Sequence, residues 1–218
     1  INPSQFNKKN DLKKYPRNLK KDIKILKKLN VDYLLKPNVK EIYKSKKNTK
    51  IKLKKNNIIM CALHRPGHFE GVLAVINQFL QKFKPKNIFF GEKDYQQLYL
   101  IKKFIRKNYK INVFSCSTVR DKNNVALSSR NILLNKNDMY KSSIIASSML
   151  KFKNKIKKNI IYTKNLNNIE NKINSLKNIK IEYLEIRNKY NLSKNYSKNS
   201  FKIFLAYYNK KIRLIDNY

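Results

Sequence analysis

Several residue types that mark particular protein classes are scarce in this chain of 218 residues. It has two cysteines, Cys61 and Cys116, with no CxxC spacing and no cluster of cysteine and histidine. A disulfide framework and a zinc site are therefore not expected, and unpaired thiols suit a reducing compartment, so we expect a cytoplasmic protein. No run of about 18 apolar residues occurs, so we expect no membrane span.

Acidic residues are also scarce: 13 Asp and Glu stand against 51 Lys and Arg, which gives a formal net charge of +38. Such an excess is usual in proteins that bind nucleic acid or an anionic membrane surface. Here, however, the lysines are spread along the chain rather than gathered in one basic stripe, and no RRM-like or zinc-finger pattern occurs. The pattern argues against nucleic acid as a partner, although a basic nucleic-acid-binding protein stays open as an alternative.

Apolar residues recur with regular spacing, which argues against the disorder that high charge alone would suggest. As far as residue 118, predicted strands alternate with helices, a pattern typical of a parallel sheet with helices on its faces. Helices are predicted after Asn18, over 69–83 and after Asp94. Strands are predicted over 31–35, 87–90 and 111–116, with 51–59 as an ambiguous edge strand.

After residue 118 the pattern changes to helices followed by strands. We expect helices over 137–152 and 166–176, then strands over 179–186, 201–208 and 212–215, the last two joined as a hairpin. The prediction is therefore an α/β domain with a parallel sheet over residues 1–118, followed by a smaller α+β domain over residues 119–218.

Two polar clusters lie in the first third of the chain. Asn2–Phe6 would form a turn at a strand end, where open parallel sheets hold ligands, and Gln5 can bind a hydroxyl and a carboxylate together. In His64–Phe69, proline and glycine exclude the helix that two metal-binding histidines four residues apart would need. Arg65 and His68 are better suited to an anion or carboxylate near a helix start. An ordinary turn or loop also explains each cluster taken alone.

Two further clusters suit phosphate. Phe90–Gln97 follows a strand and opens a helix, where Gly91 lets a ligand approach the backbone and free amides with Lys93 suit phosphate. Gln97 lies one turn into that helix. Ala126–Asn131 places two hydroxyls and a guanidinium in a loop, as in a mobile phosphate clamp. A capped helix and a flexible polar linker are the simpler alternatives, and a serine nucleophile is disfavoured because no His/Asp partner pattern accompanies it.

The order of these clusters is more informative than any one of them. The chain contains, in sequence, N-P-x-Q-F, R-P-G-H-F-x-G-V, F-G-E-K-D-Y-Q-Q-L, T-V-R with A-L-S-S-R-N, and R-L-I-D-N. This series resembles the pantothenate synthetases over essentially the whole chain, and its G-E-K-D-Y-Q-Q and L-S-S-R-N segments are highly specific for that family. The resemblance implies a Rossmann-like nucleotidyl-transferase domain, incomplete at its N-terminus, and a smaller C-terminal lid domain.

The resemblance also implies a reaction, the ATP-dependent condensation of (R)-pantoate with β-alanine to pantothenate, AMP and pyrophosphate through pantoyl adenylate. No side-chain nucleophile is needed, because positioning and charge stabilisation supply the catalysis. Mg²⁺ would be held mainly by ATP oxygens and water. The resemblance also implies that the protein is a homodimer and has no membrane partner.

Site residues follow from the same resemblance. Gln5 and Gln97 match the glutamines that hold pantoate, Gln5 also contacting β-alanine, while Arg65 and His68 match residues that line the same cleft. Lys93 would neutralise phosphate charge, and the A-L-S-S-R-N loop would grip the triphosphate when the domains close. The positions that match the ATP site are Gly91, Glu92, Lys93, Asp94, Val119, Leu127, Ser128, Ser129 and Arg130.

The chain departs from the family pattern at two places. It begins Ile1-Asn2-Pro3, with no counterpart of the M-G-x-L-H-x-G-H segment that carries the family's catalytic histidine, so we expect a fragment with no catalytic residue and little activity alone. Where relatives read L-E-G-A-S-R-P-G-H, an acidic residue is replaced by Cys61 and a glycine by Ala62. An inactive, degenerate relative is therefore a second alternative.

Overall fold

The protein is described by a computed structural model covering residues 12–13, 15–38, 41, 51–158 and 165–218. The chain forms two compact units, Ile1–Pro85 and Lys86–Tyr218. The predicted domain boundary near residue 118 falls inside the second of these units, and the assignment of 1–118 and 119–218 as separate domains stays a prediction.

Helices α1 (Leu19–Lys28), α2 (Cys61–His64) and α3 (His68–Phe83) form the described regular structure of the first unit, with a 3₁₀ turn at Lys55–Asn57. The predicted cap of α1 is confirmed, because the Asn18 side chain accepts a hydrogen bond of 3.1 Å from the Lys21 amide. The predicted helix over 69–83 is confirmed as α3, whose apolar side chains are buried at helical spacing.

Two strand predictions in this unit are wrong. Residues 31–35 form no strand, and their large side chains are exposed, Tyr33 at 92%. Within 51–59 the chain makes a 3₁₀ turn instead. β-Branched and aromatic residues only favour a strand, which also needs a neighbouring backbone for its hydrogen bonds, and no described segment supplies one here.

The second unit begins with a parallel pair of strands, β1 (Asn87–Gly91) and β2 (Asn112–Cys116), in register from Asn87 opposite Asn112 to Gly91 opposite Cys116. Between them lies α4 (Tyr95–Asn108), which buries Leu98, Ile101 and Ile105 as predicted. Asp94 is the residue before α4, as predicted, but its side chain makes no capping hydrogen bond. A strand, a crossover helix and a parallel strand are the unit from which open α/β sheets are built.

The rest of the second unit is α+β, as predicted. Helices α5 (Lys136–Lys157) and α6 (Leu166–Asn174) precede an antiparallel sheet of order β3-β4-β5. The strands are β3 (Ile179–Asn188), β4 (Phe201–Asn209) and β5 (Ile212–Asn217), and β4 and β5 form the predicted hairpin. The core between helices and sheet contains Ile145, Met149, Phe152, Ile173, Ile203 and Leu205, each at most 2% exposed.

The α/β fold class is confirmed, with a parallel sheet and a separate antiparallel sheet. None of the described helices combines the length and the apolarity that crossing a bilayer requires.

Candidate active site

The predicted site residues fall into three groups. Gln5, with the Asn2–Phe6 cluster around it, lies outside the described residues. Arg65 and His68 lie in the first unit. Gln97 and all the predicted ATP-binding residues, from Gly91 to Arg130, lie in the second unit, so the ATP candidates share one compact body.

Arg65 and His68 flank the start of α3. Gly67 has φ = +80°, a conformation that glycine adopts without strain, and it precedes the helix directly. The His68 amide donates to the Arg65 carbonyl at 3.1 Å, and the His68 ring lies 4.9 Å from the Phe69 ring, centroid to centroid. Both candidates thus lie at the positive end of a 16-residue helix, where an anion is favoured.

The altered stretch before Arg65 is accommodated without a glycine. Cys61 and Ala62 are both buried in the short helix α2. Because Ala62 has a helical backbone, alanine costs no conformational free energy there relative to glycine. Met60, directly before, takes the rare positive φ of +46° and is 1% exposed, so any backbone strain in this segment is located at Met60.

The G-E-K-D segment leaves the end of β1 and forms a 3₁₀ turn, Glu92–Asp94, which runs directly into α4. Gly91 is exposed with an ordinary φ of −72°, and a Cβ built on it would meet nothing within 4 Å. The Nζ of Lys93 lies 3.8 Å from a carboxylate oxygen of Asp94. Neither backbone conformation nor packing requires a glycine at residue 91.

Asn217, on β5, holds this turn. Its Nδ2 donates to the carbonyl oxygens of both Glu92, at 2.9 Å, and Lys93, at 2.8 Å. Its Oδ1 accepts a hydrogen bond of 2.8 Å from Lys202. Asn217 is 4% exposed, and its hydrogen bonds to the turn are partly buried links between β5 and residues about 125 positions earlier.

Arg120 makes a second connection to the same strand. Its guanidinium forms a two-pronged pair with Asp216, with both N–O distances at 2.8 Å, and it donates to the Asn217 carbonyl at 3.0 Å. It also stacks on the ring of Tyr218, 4.7 Å from the centroid. Burial alone would lower the pKa of Arg120, but the hydrogen bonds and charge of Asp216 outweigh it and raise the pKa. Arg120 is therefore a fixed cation.

Arg120 belongs to a small hairpin that leads to the L-S-S-R-N segment. Arg120 and Ala126 form an antiparallel bridge, and the Leu127 amide donates to the Val119 carbonyl at 2.9 Å. The side chains of Val119 and Leu127 are 67% and 52% exposed. This hairpin therefore presents two apolar side chains to solvent directly before the hydroxyl residues.

The L-S-S-R-N segment is a defined turn rather than a structureless linker. The Ser128 hydroxyl accepts a hydrogen bond of 3.2 Å from the Arg130 amide and so caps a 3₁₀ turn over Ser129–Leu133. The Asn131 side chain donates to the Ala126 carbonyl at 3.1 Å. Strand β5 contacts this turn as well as the Glu92–Asp94 turn. The two segments proposed for ATP are thus attached to one strand.

Arg120, Asp216 and Asn217 were not among the predicted site residues, although all three lie in motifs that carry the family resemblance. The available signal was a T-V-R segment with an isolated arginine and an R-L-I-D-N segment with one carboxylate. Charge complementarity between two motifs 96 residues apart suggests a pair, but only the fold brings them together.

Lys202 is the most perturbed cation in this cluster. Its Nζ lies 4.6 Å from the centre of the Tyr95 ring. Burial is the main cause that lowers the pKa of Lys202 to about 8. The charges of Lys153 and Arg120 act in the same direction, while Glu92 and Asp216 oppose them.

The lowered pKa of Lys202 predicts a pH dependence of stability. Between the folded value of about 8 and the unfolded value of 10.5, the unfolded chain keeps a proton that the folded chain has lost. The free energy of unfolding should therefore rise with pH in this window, by on the order of 2 kcal/mol. Above about pH 10 the buried Tyr207, whose pKa is raised to about 12, reverses the trend.

Urea unfolding at three pH values between about 7.5 and 9.5 measures this slope. Lys202→Met should remove the part of the slope that belongs to Lys202. Equal slopes for the wild-type protein and the variant would show that Lys202 does not titrate in this range.

Known proteins similar to this chain belong to the family that the motif series resembles. The family model for pantoate-beta-alanine ligase matches residues 1–218. A pantothenate synthetase of Campylobacter hominis is 37% identical over 220 residues, which cover all of this chain and 80% of that protein. The crystal structure of pantothenate synthetase from Thermus thermophilus superposes with a TM-score of 0.90 at 28% identity, covering all of this chain and 80% of the other.

A second solved structure carries ligands. It is the pantoate-beta-alanine ligase from Francisella tularensis, complexed with beta-gamma ATP and β-alanine, with a TM-score of 0.83, 36% identity, and coverage of all of this chain and 76% of the other. The motif series, the two sheets and these matches agree with one another. This chain belongs to the pantoate–β-alanine ligase family.

Proposed function

We propose that this chain supplies the ATP and pantoate sites of an ATP-dependent pantoate–β-alanine ligase. The observation that carries the proposal is the attachment of both ATP-motif turns to strand β5, one through Asn217 and the other through Arg120 and its hairpin. Two segments that must grip one triphosphate need a common support, because ATP binds tightly only to groups already held in place.

ATP is bound, in this proposal, by charge and backbone groups of the second unit. Lys93 and the amides at the start of α4 neutralise phosphate, while Gly91 leaves room for the nucleotide to approach the strand end. The turn containing Ser128, Ser129 and Arg130 contributes further donors. Val119 packs near adenine, and its exposed side chain suits that role, while Leu127 belongs to the loop that grips the triphosphate.

Mg²⁺ accompanies ATP in this proposal. The described residues contain no group of three metal-binding side chains, so the ion is assigned to phosphate oxygens and water. Bound there, it would reduce the charge of the triphosphate. The half-exposed Asp94 and the neighbouring Glu92 are oxygen donors of the type that Mg²⁺ prefers.

Pantoate is assigned to Gln97 and Gln5, and Arg65 and His68 are assigned to substrate binding as well. Its carboxylate attacks the α-phosphorus of ATP and pyrophosphate leaves. The β-alanine amine then attacks the activated carbonyl and AMP leaves. Lys93 and Arg130 stabilise charge that develops on the phosphates, and the glutamines orient the carboxylate, so no covalent enzyme intermediate is required. A homodimer in the cytoplasm completes the proposal.

An activity assay of the protein tests this proposal. With ATP, pantoate and β-alanine it should form pantothenate, AMP and pyrophosphate in equal amounts, followed by mass spectrometry. Without β-alanine, pyrophosphate formation should stop at about one molecule per enzyme active site, because the adenylate stays bound. ADP as the product would contradict the proposal. If RNA bound as tightly as ATP whatever its sequence, and its affinity fell steeply as the salt concentration rose, the nucleic-acid alternative would be favoured.

A further inference from the structure

Asn217 is positioned to control the geometry of the nucleotide-binding turn. We propose that Asn217 is a positioning residue that orients the backbone amides of Lys93 and Asp94 toward the phosphates of ATP. The inference rests on the proposed function, because it assigns a role within that same ATP site. Nothing in the motif comparison assigns a role to this side chain.

The rigidity of the peptide group couples each backbone carbonyl to the amide that follows it. In a planar trans peptide the C=O and the following N–H point in opposite directions. Holding the Glu92 carbonyl therefore fixes the direction of the Lys93 amide, and holding the Lys93 carbonyl fixes that of the Asp94 amide. Asn217 Nδ2 holds both carbonyls, at 2.9 Å and 2.8 Å. One side chain thus sets two consecutive amides in the 3₁₀ turn that leads into α4.

Asn217 is itself held from several sides. Lys202 donates to its Oδ1 at 2.8 Å, Arg120 donates to its carbonyl at 3.0 Å, and its own amide donates to Asp216 at 2.7 Å. A side chain with both ends of its amide occupied cannot rotate without breaking buried hydrogen bonds. The arrangement is therefore suited to keeping donors in place before the ligand arrives, which is where such donors are most effective.

A second buried asparagine of the same sheet provides a matched control. Asn209 is 0% exposed, and its Nδ2 also donates to a backbone carbonyl, that of Asp138, at 2.9 Å. It pairs with Ile212 beside the hairpin turn, whereas Asn217 pairs with Phe204 at the other end of β5. Loss of Asn209 donors should reduce stability in the same unit without a direct effect on the Glu92–Asp94 turn.

The test compares Asn217→Leu with Asn209→Leu, two neutral substitutions of similar size, in the protein. ATP affinity is measured by calorimetry, global stability by thermal unfolding, and hydrogen exchange is followed at the Lys93 and Asp94 amides. We expect Asn217→Leu to weaken ATP binding about tenfold and to speed exchange at these amides. Asn209→Leu should lower the unfolding temperature about as much as Asn217→Leu does. It should leave the ATP affinity within about twofold of the wild-type value.

The outcomes separate the two proposals. If the wild-type protein does not bind ATP, the proposed function fails and this inference fails with it. If it binds ATP and both variants lose affinity equally, the role of Asn217 is only structural and the inference is overturned while the function stands. Should Asn217→Leu fail to fold, Asn217→Ser is measured in the same way, and unchanged affinity with unchanged exchange overturns the inference.

Discussion

Replacing Lys93 with alanine should weaken ATP binding by roughly 10- to 100-fold. A hydrogen bond to a charged phosphate is worth about 1.5–3 kcal/mol, and each 1.4 kcal/mol is about a tenfold change in affinity. Lys93 is the lysine of the turn that Asn217 holds, and its Nζ forms an ion pair with Asp94 at 3.8 Å. That ion pair is long and partly exposed, so the ammonium is not committed to it. Titration calorimetry with ATP and Mg²⁺ measures the effect.

Lys107→Ala is the control for Lys93→Ala. Lys107 is exposed in the last turn of α4, outside the proposed site, and its loss changes the net charge by the same amount. In a chain of net charge +38, a general attraction for polyanions would make the two variants equally weak. Equal losses that disappear at high salt would therefore contradict a specific role for Lys93.

Replacing Arg120 with methionine should lower the free energy of unfolding of the second unit by about 3–5 kcal/mol, the range measured when one partner of a buried ion pair is removed. The substitution leaves the Asp216 carboxylate, 8% exposed, with no guanidinium to pair with. It also removes the donors to the carbonyls of Asn124 and Asn217. Urea unfolding measures the loss.

A double-mutant cycle separates the ion pair from simple packing. With Asp216→Leu added, no buried charge is left unpaired, so the double variant should recover much of the stability that Arg120→Met loses. If the two substitutions lower the free energy of unfolding additively, Arg120 and Asp216 do not interact energetically. The hairpin would then be connected to β5 through backbone contacts instead.

Elements with a clean local signal were predicted well. Asn18 begins a helix because its side chain satisfies an amide of the first turn, and α3 follows from apolar residues at helical spacing. The β4–β5 hairpin likewise depends on neighbouring residues. The strand predicted over 31–35 failed because a strand depends on a partner elsewhere in the chain, and local composition carries no information about that partner.

The candidate site shows the same division. Lys93, Gln97 and Ser129 stand in contiguous segments, so a motif identifies them. The hold of Asn217 on Glu92 and Lys93 spans about half the chain, with a separation of 125 residues for the first contact. The lowered pKa of Lys202 arises from burial, which depends on the packing of several elements. Such properties become visible only when the fold is known.

The position of β5 has a further consequence. Among the described strands it lies at the edge of its sheet, hydrogen-bonded to β4 alone, and edge strands open more readily than the centre of a sheet. The Glu92–Asp94 turn is held in its conformation only while Asn217 of β5 stays hydrogen-bonded to it. Linkage then works in both directions: a nucleotide that selects the ordered turn must also shift β5 toward its closed state. ATP bound at the Glu92–Asp94 turn would therefore stabilise the edge strand of the antiparallel sheet against opening.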